Sequence, residues 1–396
     1  MTESPKNAGK APKEPSSTKT EPGRTEPGRT ASGAFALDRR FVTDLEIFER
    51  EQAEIFSQHW ICVGRTSELD VDGKCFTAEF GSHRLLVLRD QPSTDNSPLR
   101  CFYNVCRHRG SLIVADASDC KRAGTRLQCP YHAWTYERDG SLASAPNMDS
   151  VSSFDKSDFS LHELDCRELS GFVFVRLGKT GVDFDSFFEP LVESLKPWPI
   201  AELQIARKIN YDVNANWKLI FQNYSECYHC PIVHPALNRL TPYKGSSNDF
   251  SAGPIRGGPM QLADDCQSMT TDGKAAGKIF KQLDEHRRQS VAYYTVFPTM
   301  FVSPHPDYVL VHRLIPIAPD RTQVICEFLF SEESINSPES NLDGAVEFWA
   351  LTNRQDWEVC ELTQKGMSSV VYQPGPYSDL ESIVAAFDAY YKSVIK

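Results

Sequence analysis

Two short segments that each pair a cysteine with a histidine constrain this chain more than any other feature. The first is Cys106-x-His108, the second is Cys129-x-x-His132, and twenty residues separate them. Thiolate and imidazole are both good ligands for iron, zinc or copper. Two such arms can hold a [2Fe–2S] cluster with the cysteines on one iron and the histidines on the other.

The competing interpretation of these four residues is a Cys₂His₂ zinc site. Zinc modules usually arrange their ligands as Cys-x-x-Cys and His-x₃₋₅-His pairs, whereas each arm here mixes one cysteine with one histidine. The mixed spacing is typical of a Rieske cluster, whose ligand set gives a higher reduction potential than four cysteines do. We therefore expect Cys106, His108, Cys129 and His132 to bind a Rieske [2Fe–2S] cluster.

Charge and hydropathy argue against two classes of partner. The 396 residues carry a formal net charge of −11, whereas nucleic-acid binding needs clustered Lys and Arg. No run approaches the roughly 18 apolar residues of a membrane span, and no apolar signal segment follows Met1. The twelve cysteines then indicate a reducing, cytoplasmic location and metal-binding or buried roles rather than disulfides. Cys227 and Cys230 are left open.

Composition and periodicity divide the chain into four parts. Residues 1–33, rich in Pro, Ser, Gly, Lys and Glu, are predicted to be a disordered tail, and residues 34–60 an N-terminal helix that packs on the last part. Residues 61–178 contain short strand-like runs, among them SLIVAD at 111–116, with tight turns such as ERDGSL, and predict an all-β domain. Residues 179–396 mix helices and strands.

Within the last part, three segments carry specific expectations. Residues 178–200 are predicted to be a connector because they contain Gly, Asp and three prolines. Residues 244–278, rich in Gly, Ser and Asp, are predicted to form a long and partly mobile loop. A long helix is expected from about 342 to 366, and a short one from Glu381.

A second cluster of ligand-type side chains lies at 216–235, NWKLIFQNYSECYHCPIVHP. His229 and His234 are five positions apart, so on an unbroken α-helix they diverge by about 140°. Pro231 disfavours helical geometry at the preceding residue and is predicted to end the helix there. His229 then lies on the last helical turn, Glu226 shares its face, and His234 folds back from the following segment.

The third ligand is predicted on the long helix. Asp356 lies on a stripe that is otherwise apolar, whereas Gln355 and Glu358 fall on the opposite side. A buried carboxylate is costly unless it is paired or bound to a metal. Two histidines and one carboxylate form the facial triad of mononuclear Fe(II) oxygenases, with positions open for O₂ and substrate. We therefore expect His229, His234 and Asp356 to bind a mononuclear iron.

From residue 41 to residue 396 the chain resembles the α subunit of the Rieske non-haem iron oxygenases. The matching elements are CRHRG, CPYHAW, NWK, ECYH-x₄-H, RQDWEVCE and GPYSDLES. The resemblance implies an α+β fold, with an all-β Rieske [2Fe–2S] domain at 61–178 and a helix-grip catalytic domain at 179–396, in which an antiparallel sheet wraps around a long helix. It also implies a mononuclear iron and electrons from NAD(P)H through a separate flavin- or ferredoxin-type reductase.

Glu226 is the position at which this chain departs from most ring-hydroxylating relatives, which have an aspartate there. By resemblance this acid couples electron and proton transfer between the two centres, because it hydrogen-bonds His229 and, across a subunit boundary, His132 of the partner subunit. Relatives assemble head to tail as homotrimers, which are closed heterologous rings. A glutamate within ECYHC is similar to the branch that acts on glycine betaine, carnitine and stachydrine.

The resemblance therefore implies an oxygenase component that uses O₂ to hydroxylate and N-demethylate a quaternary ammonium compound such as glycine betaine. A carbinolamine formed at an N-methyl group collapses to the amine and formaldehyde. An aromatic-ring-hydroxylating dioxygenase α subunit is the alternative within the same fold. A pure Rieske electron-transfer protein is a third interpretation, and it leaves the second domain and the facial triad unexplained.

Aromatic faces hold quaternary ammonium ions through cation–π attraction, worth about 0.5–2 kcal/mol per contact. The sequence offers more candidates than a cage needs, and aromatic residues at such spacing also build cores: Trp217, Phe221, Tyr224, Tyr293, Tyr294, Phe297 and Phe301. A substrate carboxylate would need an arginine or backbone amides, and the sequence does not identify which.

Overall fold

The computed structural model describes residue 1 and residues 33–69, 75–90, 98–115 and 126–395. The expectation of a disordered tail at 1–33 therefore lies almost wholly outside the described residues. Among the described residues, the structure contains no helix long and apolar enough to cross a membrane.

The first half of the chain forms an antiparallel six-stranded sheet with the order β1-β9-β8-β4-β3-β2. The pairing of β3 with β2 and β4 places Leu86 and Leu88 on one face and Leu85 and Val87 on the other, and all four are buried. Both faces of this sheet are therefore covered. The strands are β1 Ile61–Arg65, β2 Cys75–Phe80, β3 His83–Arg89, β4 Leu99–Tyr103, β8 Glu163–Leu169 and β9 Phe172–Arg176.

A smaller three-stranded sheet is inserted between β4 and β8. It consists of β5 Leu127–Gln128, β6 Thr135–Tyr136 and β7 Leu142–Ser144. The predicted turn at ERDGSL joins β6 to β7, with the Gly140 amide donating to the carbonyl of Glu137 at 3.0 Å. The predicted strand at SLIVAD is wrong for residues 111–115, which have no strand structure, because this segment follows the first Cys–His arm as an irregular loop.

The second half is built on another antiparallel six-stranded sheet, in the order β10-β15-β14-β13-β12-β11. The long helix α9 packs against it, since Ala345, Phe348 and Trp349 share a core cluster with Leu310 and Phe328 of the sheet. An antiparallel sheet around a long helix is the expected helix-grip arrangement. The strands are β10 Gln204–Val213, β11 Ile255–Gln261, β12 Ser290–Val296, β13 Met300–Pro304, β14 Val309–Ala318 and β15 Arg321–Phe330.

Ten α-helices lie in the described part of the chain. They are α1 Arg40–Thr43, α2 Leu45–Glu51, α3 Phe184–Leu195, α4 Trp217–Tyr224, α5 Cys230–Val233, α6 Pro235–Leu240, α7 Glu285–Arg288, α8 Glu332–Asn336, α9 Leu342–Met367 and α10 Ser382–Val394. A single π-helical turn, Gln52–Phe56, continues α2. The long helix expected from about 342 to 366 is confirmed as α9, and the C-terminal helix as α10.

Two expectations for the second half are wrong. The predicted connector at 178–200 contains the amphipathic helix α3, capped by Asp183, which accepts from the Ser186 amide at 3.0 Å. The predicted loop at 244–278 contains β11, the edge strand of the sheet. Its sequence IRGGPMQ has low strand propensity, so pairing with β12 decides its structure rather than local preference.

A buried polar network joins the N-terminal helices to the second half. The Lys218 ammonium lies 2.5 Å from one carboxylate oxygen of Glu51, and the Trp217 indole donates to the other at 2.8 Å. The Tyr391 hydroxyl donates to Glu51 at 2.6 Å. Both charged side chains are fully buried. One ion pair, whose carboxylate accepts three hydrogen bonds, therefore holds α2, α4 and α10 together.

Candidate redox and metal centres

The two Cys–His arms form facing loops at one edge of the three-stranded sheet. Cys106 and Cys129 are both buried, at 2% and 3% exposure. The Cys106 sulfur lies 3.3 Å from the Tyr136 hydroxyl, which also accepts from the Arg107 amide at 3.0 Å. Each loop turns tightly: the Gly110 amide donates to the Cys106 carbonyl at 3.0 Å, and the Ala133 amide to the Cys129 carbonyl at 3.1 Å.

The two histidines of the arms lie on the outside of these loops. His108 and His132 are exposed, and their ring centroids are 4.8 Å apart. The His108 ring stacks on the Trp134 ring, with the ring centroids 4.7 Å apart and an angle of 6° between the ring planes. This stacking fixes the plane of the His108 ring. Sequence reasoning did not anticipate the supporting roles of Trp134 and Tyr136, although both follow the second arm directly.

Buried cysteines behind exposed histidines match the donor set of a Rieske cluster, in which thiolates and imidazoles bind different irons. The hydroxyl of Tyr136 is placed to hydrogen-bond a cysteine sulfur, a contact that tunes the potential of such clusters. The residues present therefore fit a [2Fe–2S] group whose histidine-bound iron is nearer the surface.

The second site is carried by a broken helical segment rather than by the end of one helix. Helix α4 ends at Tyr224, so the expectation that Glu226 and His229 share its last turn is wrong. Pro231 does not end a helix either; it lies in the first turn of α5, where its missing amide is tolerated. His229 precedes α5 and His234 lies between α5 and α6.

The predicted triad is nevertheless brought together. The His234 Nε2 lies 2.7 Å from Asp356 Oδ1, and the His229 Nε2 lies 3.3 Å from the same oxygen. One ligand atom from each of the three side chains falls within 4.8 Å of the others. Two imidazoles and one carboxylate at this separation can hold one iron with positions left open.

Both histidines are oriented through their second ring nitrogen. The His229 Nδ1 lies 2.5 Å from Glu226 Oε1, and the His234 Nδ1 lies 2.8 Å from Gln355 Oε1. A hydrogen bond from Nδ1 to each oxygen leaves Nε2 free to bind a metal and fixes the ring plane. Glu226 was expected to contact His229, whereas Gln355 was placed on the wrong side of α9.

The pKa values of His229 and Asp356 show that the triad favours a bound positive charge. Burial lowers the pKa of His229, but the hydrogen bonds to Asp356 and Glu226 outweigh this effect and raise the pKa to about 10. Burial raises the pKa of Asp356, and its hydrogen bonds to His229 and His234 outweigh this and lower it. A bound cation would take the place of that proton.

Cys227 and Cys230, which the sequence left open, are joined by a disulfide on either side of His229. Cys75, expected to be a simple buried thiol, is also disulfide-bonded. The expectation of a metal-binding or buried role is therefore wrong at Cys75, and the role left open at Cys227 and Cys230 is a disulfide. The same expectation of a buried thiol was made for Cys120, which lies outside the described residues.

The triad opens into a cavity whose empty space, counted out into the open solvent at its mouth, is about 900 Å³. Of the aromatic candidates, Tyr224 and Tyr293 line this cavity, whereas Trp217, Phe221, Phe297 and Phe301 are core residues and Tyr294 belongs to a separate cluster. Trp349, which the sequence analysis did not single out, also lines the cavity, and its ring centroid lies 6.3 Å from that of Tyr293. Tyr224, Tyr293 and Trp349 together form what we call the aromatic wall.

Two family models match this chain. The Rieske [2Fe-2S] domain matches residues 59–155, and the catalytic domain of the ring hydroxylating alpha subunit matches residues 200–396. The glycine betaine monooxygenase oxygenase subunit of Chromohalobacter salexigens is 31% identical over 376 residues, which are 87% of this chain and 82% of that protein. The chain therefore belongs to the Rieske oxygenases, and it is an oxidoreductase.

Solved structures agree with this assignment. CntA, a quaternary ammonium Rieske monooxygenase described with carnitine oxidation and inter-subunit electron transfer, superposes with a TM-score of 0.78 at 25% identity, covering 93% of this chain and 97% of that one. Naphthalene 1,2-dioxygenase from Rhodococcus sp. superposes with a TM-score of 0.69 at 19% identity, covering 91% and 94%. The expected α+β fold is confirmed.

The family's two domains imply a Rieske [2Fe–2S] cluster and a mononuclear iron, supplied with electrons by a reductase. The two donor sets described above are the candidate ligands for the cluster and the iron. The boundaries expected at 60/61 and 178/179 stay a prediction, as do the roles of individual site residues.

Proposed function

We propose that this chain is the oxygenase component of a monooxygenase that N-demethylates a quaternary ammonium compound such as glycine betaine. The observation that carries this proposal is the juxtaposition of the His229–His234–Asp356 triad with an aromatic wall in one cavity. The names of the glycine betaine and carnitine enzymes among its relatives support the same substrate class.

In the proposed reaction one oxygen atom of O₂ is inserted into an N-methyl C–H bond and the other leaves as water. The two electrons come from NADH, and the carbinolamine releases formaldehyde and the tertiary amine. When bound, a mononuclear Fe(II) supplies O₂ activation and a Rieske cluster supplies an electron. We assign Cys106, His108, Cys129 and His132 to the cluster, and His229, His234 and Asp356 to the iron.

The aromatic wall would bind the substrate cation. The Tyr224 and Tyr293 rings are 6.1 Å apart and close to perpendicular, and Trp349 meets Tyr293 in a similar geometry. A cation within about 6 Å of such ring centres gains cation–π attraction without any hydrogen bond. The Trp349 indole donates to the Tyr308 hydroxyl at 2.7 Å, so the ring is already fixed before substrate arrives.

Glu226 is the proposed link between the two centres. Its carboxylate hydrogen-bonds the His229 Nδ1 and also accepts a hydrogen bond from the His229 amide at 3.2 Å. The carboxylate therefore stays next to the iron site. In a head-to-tail homotrimer the same carboxylate would meet His132 of the partner subunit. A cytoplasmic location and a flavin- or ferredoxin-type reductase complete the proposal.

The substrate class is tested by feeding glycine betaine, carnitine, choline and naphthalene with NADH, O₂ and a reductase. We expect formaldehyde in equal amount to the NADH consumed with at least one trimethylammonium compound, and none with naphthalene. Ring diol formation without formaldehyde would favour the dioxygenase alternative. Iron analysis at about three atoms per chain, two in the cluster and one alone, separates an oxygenase from an electron carrier.

Glu226→Gln tests the link between the centres. Because the amide is neutral and cannot take up a proton, we expect both metals to stay bound while formaldehyde formation falls at least about tenfold, as for loss of a general acid–base group. Glu226→Asp, which keeps the charge, should retain more activity. The rate at which the reduced cluster is oxidised in a single turnover, followed by its visible absorption, shows whether electron transfer between the centres is slowed. An unchanged rate in Glu226→Gln would contradict the proposed role of Glu226 as the link.

A further inference from the structure

Arg256 is a buried cation in the wall of the substrate cavity. Its side chain has no exposed surface, and it lines the same cavity as the triad and the aromatic wall. Of the described residues that line this cavity, it is the only arginine or lysine. The cavity therefore has acidic and metal-binding groups, Glu226 and Asp356 among them, and a single permanent positive charge.

The position of Arg256 follows from the register of the edge strand. In the antiparallel pairing of β11 with β12, Arg256 lies opposite Thr295 and Gly258 lies opposite Tyr293. Residues opposite each other, and residues two apart on a strand, share one face of the sheet. Arg256 and Tyr293 are thus diagonal neighbours, about 7–8 Å apart at the backbone, on the face that lines the cavity.

A second backbone segment packs directly on the strand beside Arg256. Gly258 has no side chain on this face, and a Cβ there would come within 2.3 Å of the Ser247 carbonyl oxygen. The glycine therefore lets the segment that contains Ser247 and Asn248 close over the sheet, and both residues line the cavity. A larger residue at 258 would displace this segment.

The guanidinium of Arg256 is only partly satisfied. Its Nη2 donates to the Ala386 carbonyl at 3.1 Å, and its carbon lies 5.2 Å from the Tyr390 ring centre. Within the described part of the chain, Nε and Nη1 have no hydrogen-bond partner. The nearby Asp388 carboxylate is instead held by Tyr377 at 2.7 Å and Gln222 at 2.6 Å. An unpaired buried charge is costly.

The other buried arginine of the second sheet, Arg313, shows the contrast. Arg313 pairs with Glu327 at 2.9 Å, so its charge is neutralised within the fold. Arg256 has no such partner at hydrogen-bond distance. Burial lowers the pKa of Arg256 to about 10, which still leaves the guanidinium charged at neutral pH. A ligand anion would supply the partner that the fold omits.

We propose that Arg256 binds the carboxylate of the substrate through its unpaired donors, while the aromatic wall holds the trimethylammonium group. This inference rests on the proposed function and narrows its substrate class from quaternary ammonium compounds in general to those that carry a carboxylate. The two charged ends of the ligand then contact different walls of one cavity, which fixes the orientation of the trimethylammonium group in it. Arg256 is a specificity-determining residue and takes no part in bond breaking.

The test compares two ligands that share the trimethylammonium group, glycine betaine with its carboxylate and choline with a hydroxyl. Binding to the holoenzyme without reductase is measured by isothermal titration calorimetry, and formaldehyde formation is measured separately. We expect the wild type to bind glycine betaine more tightly than choline. In Arg256→Gln the Kd for glycine betaine should rise about 30-fold, equivalent to about 2 kcal/mol, and the Kd for choline should change less than about twofold.

Two further variants complete the design. Arg256→Lys keeps the charge and should retain part of the preference for glycine betaine. Arg65→Gln is the matched control, because Arg65 is buried with unpaired Nε and Nη1 but does not line the cavity. It should leave the ratio of the two Kd values unchanged, even if it lowers stability.

The outcomes separate this inference from the proposed function. A wild type that binds and demethylates choline as well as glycine betaine would overturn the role of Arg256, even if Arg256→Gln fails to fold. Equal weakening of both ligands in Arg256→Gln would overturn it too. A wild type that releases no formaldehyde from any trimethylammonium compound contradicts the proposed function itself.

Discussion

At the scale of single residues, the metal site depends on side chains that need not touch the metal. Glu226 and Gln355 each lie within hydrogen-bond distance of the Nδ1 of one triad histidine. The first is a carboxylate and the second is a carboxamide, so the two histidines have different hydrogen-bond partners behind equivalent ligand atoms. Such outer contacts fix ring orientation and raise or lower the strength of the ligand.

Gln355→Leu tests the neutral contact. The leucine cannot accept from the His234 Nδ1, so the ring can rotate and both of its tautomers become accessible. We expect the affinity of the purified protein for Fe(II) to fall about 10–100-fold, measured by competition with a chelator.

Glu358→Gln on the exposed side of the same helix is the control and should bind iron like the wild type. The role of Gln355 would be refuted by equal iron affinity in Gln355→Leu and this control.

The residue scale also shows the reach of sequence reasoning. The triad of His229, His234 and Asp356 could be predicted, because ligand types and spacing are local features. Gln355 could not, because a helical wheel assigned it to the polar face. Its contact with His234 arises where α9 passes the segment between α5 and α6, which is a matter of packing rather than of periodicity.

At the scale of elements, charged side chains inside the fold fix how helices meet. The Glu51–Lys218 pair connects α2 with α4, and Tyr391 of α10 binds the same carboxylate. The NWK motif thus does more than begin α4. Asn216 caps this helix by accepting a hydrogen bond from the Lys218 amide at 3.0 Å. The side chains of Trp217 and Lys218 then bind the Glu51 carboxylate.

Lys218→Met should destabilise the protein by about 3–5 kcal/mol, because it leaves the Glu51 carboxylate buried without its cation. The measurement is the urea dependence of the first unfolding transition, followed by tryptophan fluorescence. Adding Glu51→Gln to this variant should recover part of the loss, since no unpaired charge then remains.

Lys196→Met provides the comparison, because Lys196 pairs with Glu193 where both side chains are about 70% exposed, and exposed pairs contribute little. Similar losses in Lys218→Met and Lys196→Met would show that the buried pair has no special weight.

At the scale of the whole molecule, the proposed head-to-tail homotrimer would make the reaction depend on more than one chain. The exposed histidines of the cluster site face outward, whereas the Glu226 carboxylate lies at the second site with its side chain 14% exposed. In the proposed closed ring of identical subunits, each second site would meet the cluster of a neighbour. Assembly would then be part of the electron path.

Complementation between two inactive variants tests this assembly. Cys106→Ser should lack the cluster and Asp356→Ala should lack the mononuclear iron, so neither is expected to demethylate substrate alone. After the two are mixed in equal amounts and allowed to exchange subunits, about one quarter of the wild-type activity should appear. Half of the chains keep the iron site, and half of their neighbours keep the cluster.

Electron transfer within one chain would leave the mixture inactive, and mass photometry would confirm that subunits had exchanged. Mixing each variant with itself is the blank. Activity in either unmixed variant would show that its missing group is dispensable.

The sequence alone determined the class of chemistry. Mixed Cys–His arms, an ECYH-x₄-H segment and an aspartate on an apolar helical stripe are short-range patterns, and the ligand preferences of iron follow from side-chain type alone. The long helix α9 was likewise predictable, because its apolar residues recur at helical spacing.

Only the tertiary structure decided how these pieces meet. It ended α4 at Tyr224, before Glu226, and it placed Pro231 in the first turn of a new helix instead of at the end of an old one. It also recruited the glycine-rich strand β11 through pairing with β12, and thereby placed Arg256 in the cavity. Contacts between residues far apart in the chain depend on packing and sheet register, and neither is encoded in any short window of sequence.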